Sequence, residues 1–255
     1  MSDESGDSIA VRFIADVGRI TLFIATALRR GFSQPPVWRS VLEEMYKVGI
    51  RALPVLVAVS AFIGSNTALQ GYHAFKSLGG QSLVGMFVAI AGVRELAPLV
   101  AAMIIAAKTG TEMTTTIAMM RITEQIDALE VMGVNPYWYL VAPRLIGITL
   151  IVPVLTTLAV FVCFMTGLAV SVGQLGVDAG TFLETALMYV SFRDIVYGFL
   201  KGIVFGMIIG VVSCYFGFNS ARGPLGIGRA ANRAIVMMVV AATLANYFLS
   251  QVLYG

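Results

Sequence analysis

Residues 145–172 read LIGITLIVPVLTTLAVFVCFMTGLAVSV, a run without one charged side chain. A helix needs about 20 predominantly apolar residues to cross the hydrocarbon core of a bilayer, so this run is long enough to span it. The whole chain has the same character, because 58% of its 255 residues are hydrophobic and only 12% are charged. Soluble domains are nearer half apolar and a quarter charged. The sequence therefore predicts a membrane-spanning protein.

Four other apolar stretches are also long enough to cross a membrane, and polar or glycine-rich connections separate them. The five predicted spans cover residues of about 48–69, 82–107, 145–172, 195–218 and 234–253. The longest connection, residues 108–144, carries polar and charged side chains, and we expect it to stay outside the membrane. The pattern predicts an all-α integral membrane protein with five transmembrane helices.

The N-terminal residues, 1–34, have a different pattern. Residues 1–8 are polar, and we expect them to be disordered. From Ile9 to Arg30, polar residues return every three or four positions and apolar residues occupy the other faces. This is typical of an amphipathic helix that lies in the membrane interface, although a first, poorly apolar span is the alternative. Gly31 to Pro36 should end this helix, which leaves residues 35–255 as the membrane domain.

Lysine and arginine residues are concentrated on one side of the predicted bundle. The N-terminal part, residues 108–144 and the connection before the fifth span are all rich in them, and five crossings place all three on the same side. The opposite side has only Lys76 and Arg193. Positively charged loops stay in the cytoplasm. We therefore expect a multi-pass protein of the bacterial inner membrane with a cytoplasmic N-terminus and a periplasmic C-terminus.

Three ionisable residues fall at membrane depth: Arg94, Glu95 and Lys201. An intramembrane charge is costly, so it normally faces a cavity or a partner. Arg94 and Glu95 are about 100° apart around a helix and cannot simply pair side by side. One interpretation aims them at a cavity that Lys201 also lines, where an amphiphile with an anionic headgroup would bind. The other is a buried ion-pair cluster that fixes helix packing.

Two further patterns concern helix surfaces. The fourth predicted span has a glycine at every fourth position, which favours close contact with another helix; these residues are Gly198, Gly202, Gly206 and Gly210. The segment RITEQIDALEVM at 121–132 has the pattern of one amphipathic cytoplasmic helix, which Gly133 and Pro136 would end. Such a helix could press on a soluble partner or lie on the membrane.

Motifs for catalysis or metal binding are missing from the sequence. His73 has no partner at ligand spacing, and the two cysteines lie in apolar runs, so we expect no metal site. Gly226, Gly228 and Ala231 have the spacing of a dinucleotide fingerprint but follow no predicted strand. No P-loop is present, so we expect no catalytic residue, no bound cofactor, no nucleic-acid partner and no ATP hydrolysis in this chain.

The segment VRELAPLVAAMIIAAKTGTEMTTTIAMMRITEQIDALEVMGVNP at 93–136 resembles the signature of the MlaE/YrbE permeases, the membrane subunits of MCE-associated ABC transporters. The likeness extends to LQGY at 69–72, APR at 142–144, the region of Lys201 and GIGRAANRAIV at 226–236. It thus covers nearly all of the chain.

This resemblance implies a homodimer in which each copy has five spans and an interfacial helix. It also implies a cytoplasmic ABC ATPase that binds ATP and Mg²⁺, a periplasmic MCE-domain protein and, in many members, a small STAS-domain protein. The substrate would be a phospholipid or a related lipid that moves between the inner and outer membranes. The direction of transport, the lipid species and the number of MCE subunits do not follow from it.

The resemblance further implies two sets of functional residues. A lipid pocket at the dimer interface would be formed by Leu69, Tyr72, Arg94, Glu95, Lys201 and Arg233. A coupling helix between the second and third spans, seated in a groove of the ATPase, would include Arg121, Glu124, Gln125, Asp127, Glu130 and Met132.

The sequence departs mildly from the family pattern in two places, and the first is the alanine of RELAP, where glycine is frequent. KTGTEMTTTIAMM at 108–120 replaces a commoner GRVGSAIAAELG-like segment, so the detailed polarity of the pocket stays open. Two other functions also stay open. One is a secondary transporter that needs no ATPase and uses Glu95 as a proton relay. The other is a scaffold that only anchors the MCE and ATPase subunits.

Overall fold

The structure is a computed structural model, and it describes residues 7–31, 35, 37–76, 79–221 and 223–254. For residues 7–17 and Leu28 it describes the backbone alone. Residues 1–6 of the predicted disordered start lie outside the described residues. The same is true of residues 32–34 in the break predicted after the first helix.

The described residues form helices and no strand. We number the helices in chain order: α1 (Asp7–Gly31), α2 (Trp38–Lys76), α3 (Gln81–Ile122), α4 (Gln125–Val131), α5 (Tyr137–Gly173), α6 (Ala179–Tyr189), α7 (Phe192–Phe218) and α8 (Pro224–Tyr254). Five of them, α2, α3, α5, α7 and α8, are long and apolar enough to cross a membrane. The prediction of an all-α protein with five spans and an additional N-terminal helix is confirmed.

Helix α3 is not a uniform α-helix. It begins with a 3₁₀ turn, Gln81–Leu83, and contains two π-helical segments, Val88–Leu96 and Ala106–Gly110, separated by α-helical stretches. A π-helical segment shifts the register of the side chains that follow it, and such segments are frequent at functional sites. The first of them carries Arg94 and Glu95, and the second carries Lys108.

Several helices are longer than predicted. Part of the 108–144 connection is helical, because α3 continues to Ile122 beyond the apolar stretch. The glycine-rich connection before the fifth span is also largely helical, since α8 begins at Pro224 and includes Gly226 and Gly228. Proline suits the first position of a helix, where its missing N–H is not needed. The extra length is polar, so hydropathy alone did not reveal it.

The bundle has two ends, and each has its own group of buried apolar residues. The end that carries α1, α4 and the connection from α7 to α8 is called the α4 end. The opposite end, with the α2–α3 connection and α6, is called the α6 end. The larger buried cluster includes Leu56, Ile148 and Phe205, and a smaller one at the α6 end includes Val84 and Phe182.

Helix α1 packs on the α4 end of the bundle. Its Phe23 is buried against Tyr137, Tyr215 and Phe218. The side-chain amide of Asn135 donates a hydrogen bond of 3.1 Å to the carbonyl of Arg30 at the end of α1. The position of α1 beside the α3–α5 connection is therefore fixed by aromatic packing as well as by any contact with the membrane surface.

The segment predicted as one helix over residues 121–132 is divided in two. Arg121 lies in the last turn of α3, and the chain turns at Thr123 and Glu124, whose φ of 58° is left-handed. Helix α4 then covers only Gln125–Val131 before Gly133, with φ of 75°, ends it. The sequence carries no glycine at 124 to mark this turn, and the helical periodicity runs through it, so the break was not predicted.

Helix α6 occupies part of the connection that follows the third span. Its N-cap is Asp178, whose Oδ2 accepts a hydrogen bond of 2.9 Å from the backbone N–H of Thr181. The hydrogen bonds from Thr181 hold the pKa of this carboxyl below its usual value, because they stabilise the charged form. The carbonyl of Phe182 and the hydroxyl of Thr185 lie next to Gly85, so α6 packs closely on the start of α3.

Candidate functional site: a charged cluster beside an apolar cavity

The three ionisable residues predicted at membrane depth lie together. Arg94 and Glu95 come from the first π-helical segment of α3, and Lys201 comes from α7. Residues near the C-terminal end of α8 complete the group. We call these side chains, together with Asp194, Asn246, Ser250 and Tyr254, the charged cluster.

Lys201 is the most enclosed member of the cluster, with an exposed fraction of 0%. Its ammonium group donates hydrogen bonds to the carbonyl of Arg94 at 2.9 Å and to the hydroxyl of Ser250 at 2.8 Å. The carboxylate of Glu95 lies 3.4 Å away. A fully buried ammonium group needs such partners, because burial of an unpaired charge is costly.

Pro98 removes one possible donor to the carbonyl of Arg94. In an α-helix the carbonyl of residue 94 would accept from the N–H of residue 98, but that residue is Pro98 and has no N–H. Lys201 supplies a donor to this carbonyl instead. The RELAP sequence thus contributes an acceptor for Lys201 through its backbone as well as a carboxylate through Glu95.

Glu95 is the most open charged group of the cluster. Its side chain is 39% exposed, whereas that of Asp194 is 3% exposed. One carboxylate oxygen faces Lys201, and the other accepts a hydrogen bond of 2.9 Å from the amide of Asn246. Both carboxylate oxygens therefore have a hydrogen-bond donor as a partner.

Arg94 contacts the start of α7 and the end of α6. Its partner on α7 is Asp194, which was not among the predicted site residues. The Nε atom of Arg94 lies 2.8 Å from Oδ1 of Asp194, in the first turn of α7. The guanidinium also donates to the carbonyl of Tyr189, the last residue of α6, and lies over the ring of Tyr254 at 5.0 Å. Arg94 thus compensates the carboxylate at one helix start and a carbonyl at another helix end.

Asp194 has a recognisable local signal in hindsight. Ser191 and Asp194 have the S-x-x-D spacing of a helix N-terminus, and the N–H of Ser191 donates to Oδ2 of Asp194 at 2.7 Å. Hydropathy placed the start of the fourth span at residue 195, which left this aspartate just outside it.

The charges in the cluster balance. Two cations, Arg94 and Lys201, face two carboxylates, Glu95 and Asp194. The first of the two interpretations of the sequence aimed these charges at an anionic headgroup, but each cation already has a carboxylate partner. The alternative interpretation, an ion-pair cluster that fixes helix packing, therefore describes the geometry of these residues directly.

An apolar cavity of about 250 Å³ lies against one side of this cluster. Its walls come from α3, α5, α6 and α7, and Asp194 is the only charged residue among them. The other lining residues are Val93, Thr157, Val160, Phe161, Phe164, Leu187, Val190, Ile195 and Gly198. The cavity is therefore an apolar chamber with one carboxylate at its wall, that of Asp194, and this carboxylate is paired with Arg94 of the charged cluster.

The glycines of α7 divide into two groups. A Cβ on Gly202 would lie 2.6 Å from Cα of Pro153, and one on Gly206 would lie 2.9 Å from Cα of Thr149, so these positions let α7 approach α5 closely. Gly210 faces Ile148 of α5. Gly198 differs from the packing prediction, because nothing lies within 4 Å of its Cβ position and it lines the cavity instead.

The other residues predicted for the lipid pocket lie apart from the charged cluster. Tyr72 packs at the α6 end against the smaller buried cluster, and neither it nor Leu69 lines the apolar cavity. Arg233 is exposed on α8, thirteen positions before Asn246, which is about 20 Å along a helix. The structure of one copy thus brings together Arg94, Glu95 and Lys201 but leaves Leu69, Tyr72 and Arg233 elsewhere.

The residues predicted for coupling lie at the α4 end. Arg121 forms an ion pair with Asp127 across the turn between α3 and α4. Glu124 is in that turn, Gln125 and Glu130 lie on α4, and Met132 follows it. Ile126 anchors α4 in the bundle, whereas the side chains of Val131 and Met132 are 89% and 67% exposed.

Comparison with known proteins gives the family. The sequence model of the family described as Permease MlaE matches residues 41–252. A probable ABC transporter permease protein of Rickettsia typhi is 31% identical, over 96% of this chain and 94% of its own length. One from Synechocystis is 32% identical, over 85% of this chain and 82% of its own. The chloroplast protein TRIGALACTOSYLDIACYLGLYCEROL 1 of Arabidopsis thaliana is 32% identical, over 84% of this chain and 61% of its own. The chain is therefore a multi-pass membrane protein and belongs to the MlaE permease family.

Proposed function

We propose that this chain is the permease subunit of an ATP-driven transporter that moves phospholipids or related lipids between the inner and outer membranes. The observation that carries the proposal is the apolar cavity whose wall includes Asp194, the ion-pair partner of Arg94 in the charged cluster. A lipid has the same two parts, acyl chains and a charged headgroup, and a binding site for it needs both kinds of surface.

The relatives support the proposal that the chain is the permease subunit of an ABC transporter. Proteins described as probable ABC transporter permeases match nearly the whole chain, and the plant relative bears the name of a galactolipid. The sequence has no P-loop, so a cytoplasmic ABC ATPase would bind ATP and Mg²⁺ and carry out hydrolysis. This chain would be a non-catalytic subunit with no cofactor of its own.

The proposed assembly contains two copies of the chain in the bacterial inner membrane, with a cytoplasmic N-terminus and a periplasmic C-terminus. The exposed Val131 and Met132 give the α4 end an apolar surface that suits a groove on the ATPase. An MCE-domain protein would occupy the periplasmic side, and a STAS-domain protein could join the ATPase. Leu69, Tyr72 and Arg233 would contribute to a lipid path between the two copies.

The balanced charges define how a headgroup would bind. A headgroup phosphate would compete with Asp194 or Glu95 for Arg94 and Lys201, so binding would exchange one ion pair for another rather than fill an unpaired site. Movement of α7 relative to α3, driven through α4, would open the pairs. The cluster would then hold the helices together at rest and receive the headgroup during transport.

Gly198 offers a direct test, because it lines the cavity and has free space at its Cβ position. Gly198→Leu would place an apolar side chain in the cavity without altering the charged cluster. We expect the purified complex to retain at most half of the co-purified lipid seen with the unmodified chain, measured by native mass spectrometry. Transport in proteoliposomes with ATP should fall in parallel.

The matched control is Gly228→Leu on α8, where a Cβ also has nothing within 4 Å and which does not line the apolar cavity. It should leave lipid content and transport unchanged, and both variants should still bind the ATPase. Normal lipid content and transport in Gly198→Leu would favour the scaffold function instead. Transport that proceeds without ATP would favour a secondary transporter.

A further inference from the structure

A second cavity, of about 210 Å³, lies near the α4 end between α2, α3 and α5. It is separate from the apolar cavity, and five of its lining residues are charged. The lining residues are Glu44, Lys47, Val48, Arg51, Thr109, Glu112, Met113, Thr116 and Arg144. Val48 begins the apolar part of α2, so we expect the cavity to lie near the depth where lipid headgroups meet the hydrocarbon core.

Cations outnumber carboxylates around this cavity. Lys47, Arg51 and Arg144 face it together with Glu44 and Glu112. Arg51 pairs with Glu112, while Arg144 and Lys47 share Glu44, at 3.5 Å and 3.9 Å. One carboxylate therefore serves two cations, which leaves one positive charge without a counterpart among the lining residues.

Two residues that line the cavity each have a buried polar atom with no hydrogen-bond partner among the described residues. These atoms are Nη1 of Arg144, whose side chain is 11% exposed, and the hydroxyl oxygen of Thr109, which is 7% exposed. Thr109 lies in the second π-helical segment of α3, which sets the direction of its side chain. An unsatisfied buried donor is costly, and most such groups bind water or an ion.

We infer that this cavity binds a phosphate-type oxyanion. Nη1 of Arg144 can only donate, and the Thr109 hydroxyl can donate to the same acceptor, so both suit an oxygen that carries negative charge. Lys47 supplies a further cation at the rim. The phosphate could belong to the headgroup of a lipid in the adjacent leaflet or be free in solution. The inference does not depend on the proposed lipid cavity.

The test uses the purified full-length chain in detergent and equilibrium dialysis against radiolabelled inorganic phosphate at constant ionic strength. Thr109→Val removes the hydroxyl but keeps the shape of the side chain, and we expect about tenfold weaker binding because a charge-assisted hydrogen bond is lost. Lys47→Gln removes a half-exposed cation and should weaken binding about threefold. Thr109→Val should not lower the melting temperature, since its hydroxyl has no protein partner to lose.

Lys108→Gln is the charge-matched control, because Lys108 is exposed in the same π-helical segment and does not line the cavity. It should bind phosphate like the unmodified chain, and so should Gly198→Leu. In nanodiscs, loss of phosphate binding identifies the lipid headgroup as the occupant, whereas unchanged binding identifies free phosphate. Two results together would overturn the inference. Phosphate would not bind saturably, and native mass spectra would show equal numbers of bound phospholipids for the unmodified chain, Thr109→Val and Lys47→Gln.

Discussion

At the scale of single residues, the charged cluster shows why an arginine, a glutamate and a proline occur together in RELAP. Arg94 binds Asp194 and the end of α6, Glu95 faces Lys201, and Pro98 leaves a carbonyl that Lys201 can reach. A hydropathy profile counts the charges as unfavourable at membrane depth. Their cost is reduced here because every charged group has a partner of opposite sign.

Lys201→Met tests how strongly the cluster stabilises the fold. The variant keeps the length of the side chain but leaves Glu95 and the carbonyl of Arg94 without their donor. We expect a loss of about 3 kcal/mol in the free energy of unfolding, at the lower end for a broken buried pair because Glu95 is partly exposed. Unfolding in mixed detergent micelles would measure it.

The double variant Lys201→Met with Glu95→Gln should recover part of that loss, since it removes the unpaired carboxylate while an amide can still bond Asn246. Lys76→Met, at the exposed end of α2, is the control for removal of a lysine and should change the free energy of unfolding by less than about 0.5 kcal/mol. A Lys201→Met variant as stable as the control would contradict a structural role for the cluster.

At the scale of elements, one glycine pattern on α7 covers two different surroundings, the contact with α5 and the apolar cavity. Glycine recurs at every fourth position, yet Gly202, Gly206 and Gly210 face α5 while Gly198 faces the cavity. The spacing predicts a common helix face but not what covers it. Helix α5 packs against most of this face, and the cavity occupies the remainder.

A pair of alanine variants separates these two surfaces. Gly198→Ala should raise the free energy of unfolding by up to about 1 kcal/mol, because alanine is the better helix former and nothing obstructs its methyl group. Gly202→Ala should lower it by about 1–3 kcal/mol, because its Cβ would lie 2.6 Å from the backbone of Pro153. The same unfolding assay measures both changes in the free energy of unfolding. Equal effects at the two positions would contradict the conclusion that Gly202 contacts α5 and Gly198 faces the cavity.

The sequence predicted the elements better than the site, for physical reasons. Five apolar runs fix the number of spans, because each must bury about 20 residues in lipid. The turn at Glu124 and the π-helical segments of α3 depend on tertiary contacts and leave no periodicity to detect. Arg94, Glu95 and Lys201 stand out as charges in apolar runs, whereas Asp194 and Asn246 belong to the cluster only through the packing of α7 and α8.

At the scale of the whole molecule, the two ends of the bundle differ in charge. The α4 end carries Lys47, Arg51, Arg121 and Arg144, whereas the described residues beyond the spans at the α6 end include few basic side chains. The positive-inside rule compares the numbers of lysine and arginine residues near the two ends of the spans. From this distribution we expect the polar cavity and α4 to lie on the cytoplasmic side, where an ATPase could reach them.

Cysteine labelling would establish this orientation. The two native cysteines, Cys163 and Cys214, are buried, so they should give little background with a membrane-impermeant maleimide. Gln174→Cys at the α6 end and Glu130→Cys on α4 replace exposed side chains outside the buried core. In intact spheroplasts we expect Gln174→Cys to be labelled at least tenfold more than Glu130→Cys, and permeabilised cells should label both equally. The reverse pattern in spheroplasts would place α4 outside the cell, and an ATP-driven mechanism that acts through α4 would then be excluded because ATP is cytoplasmic.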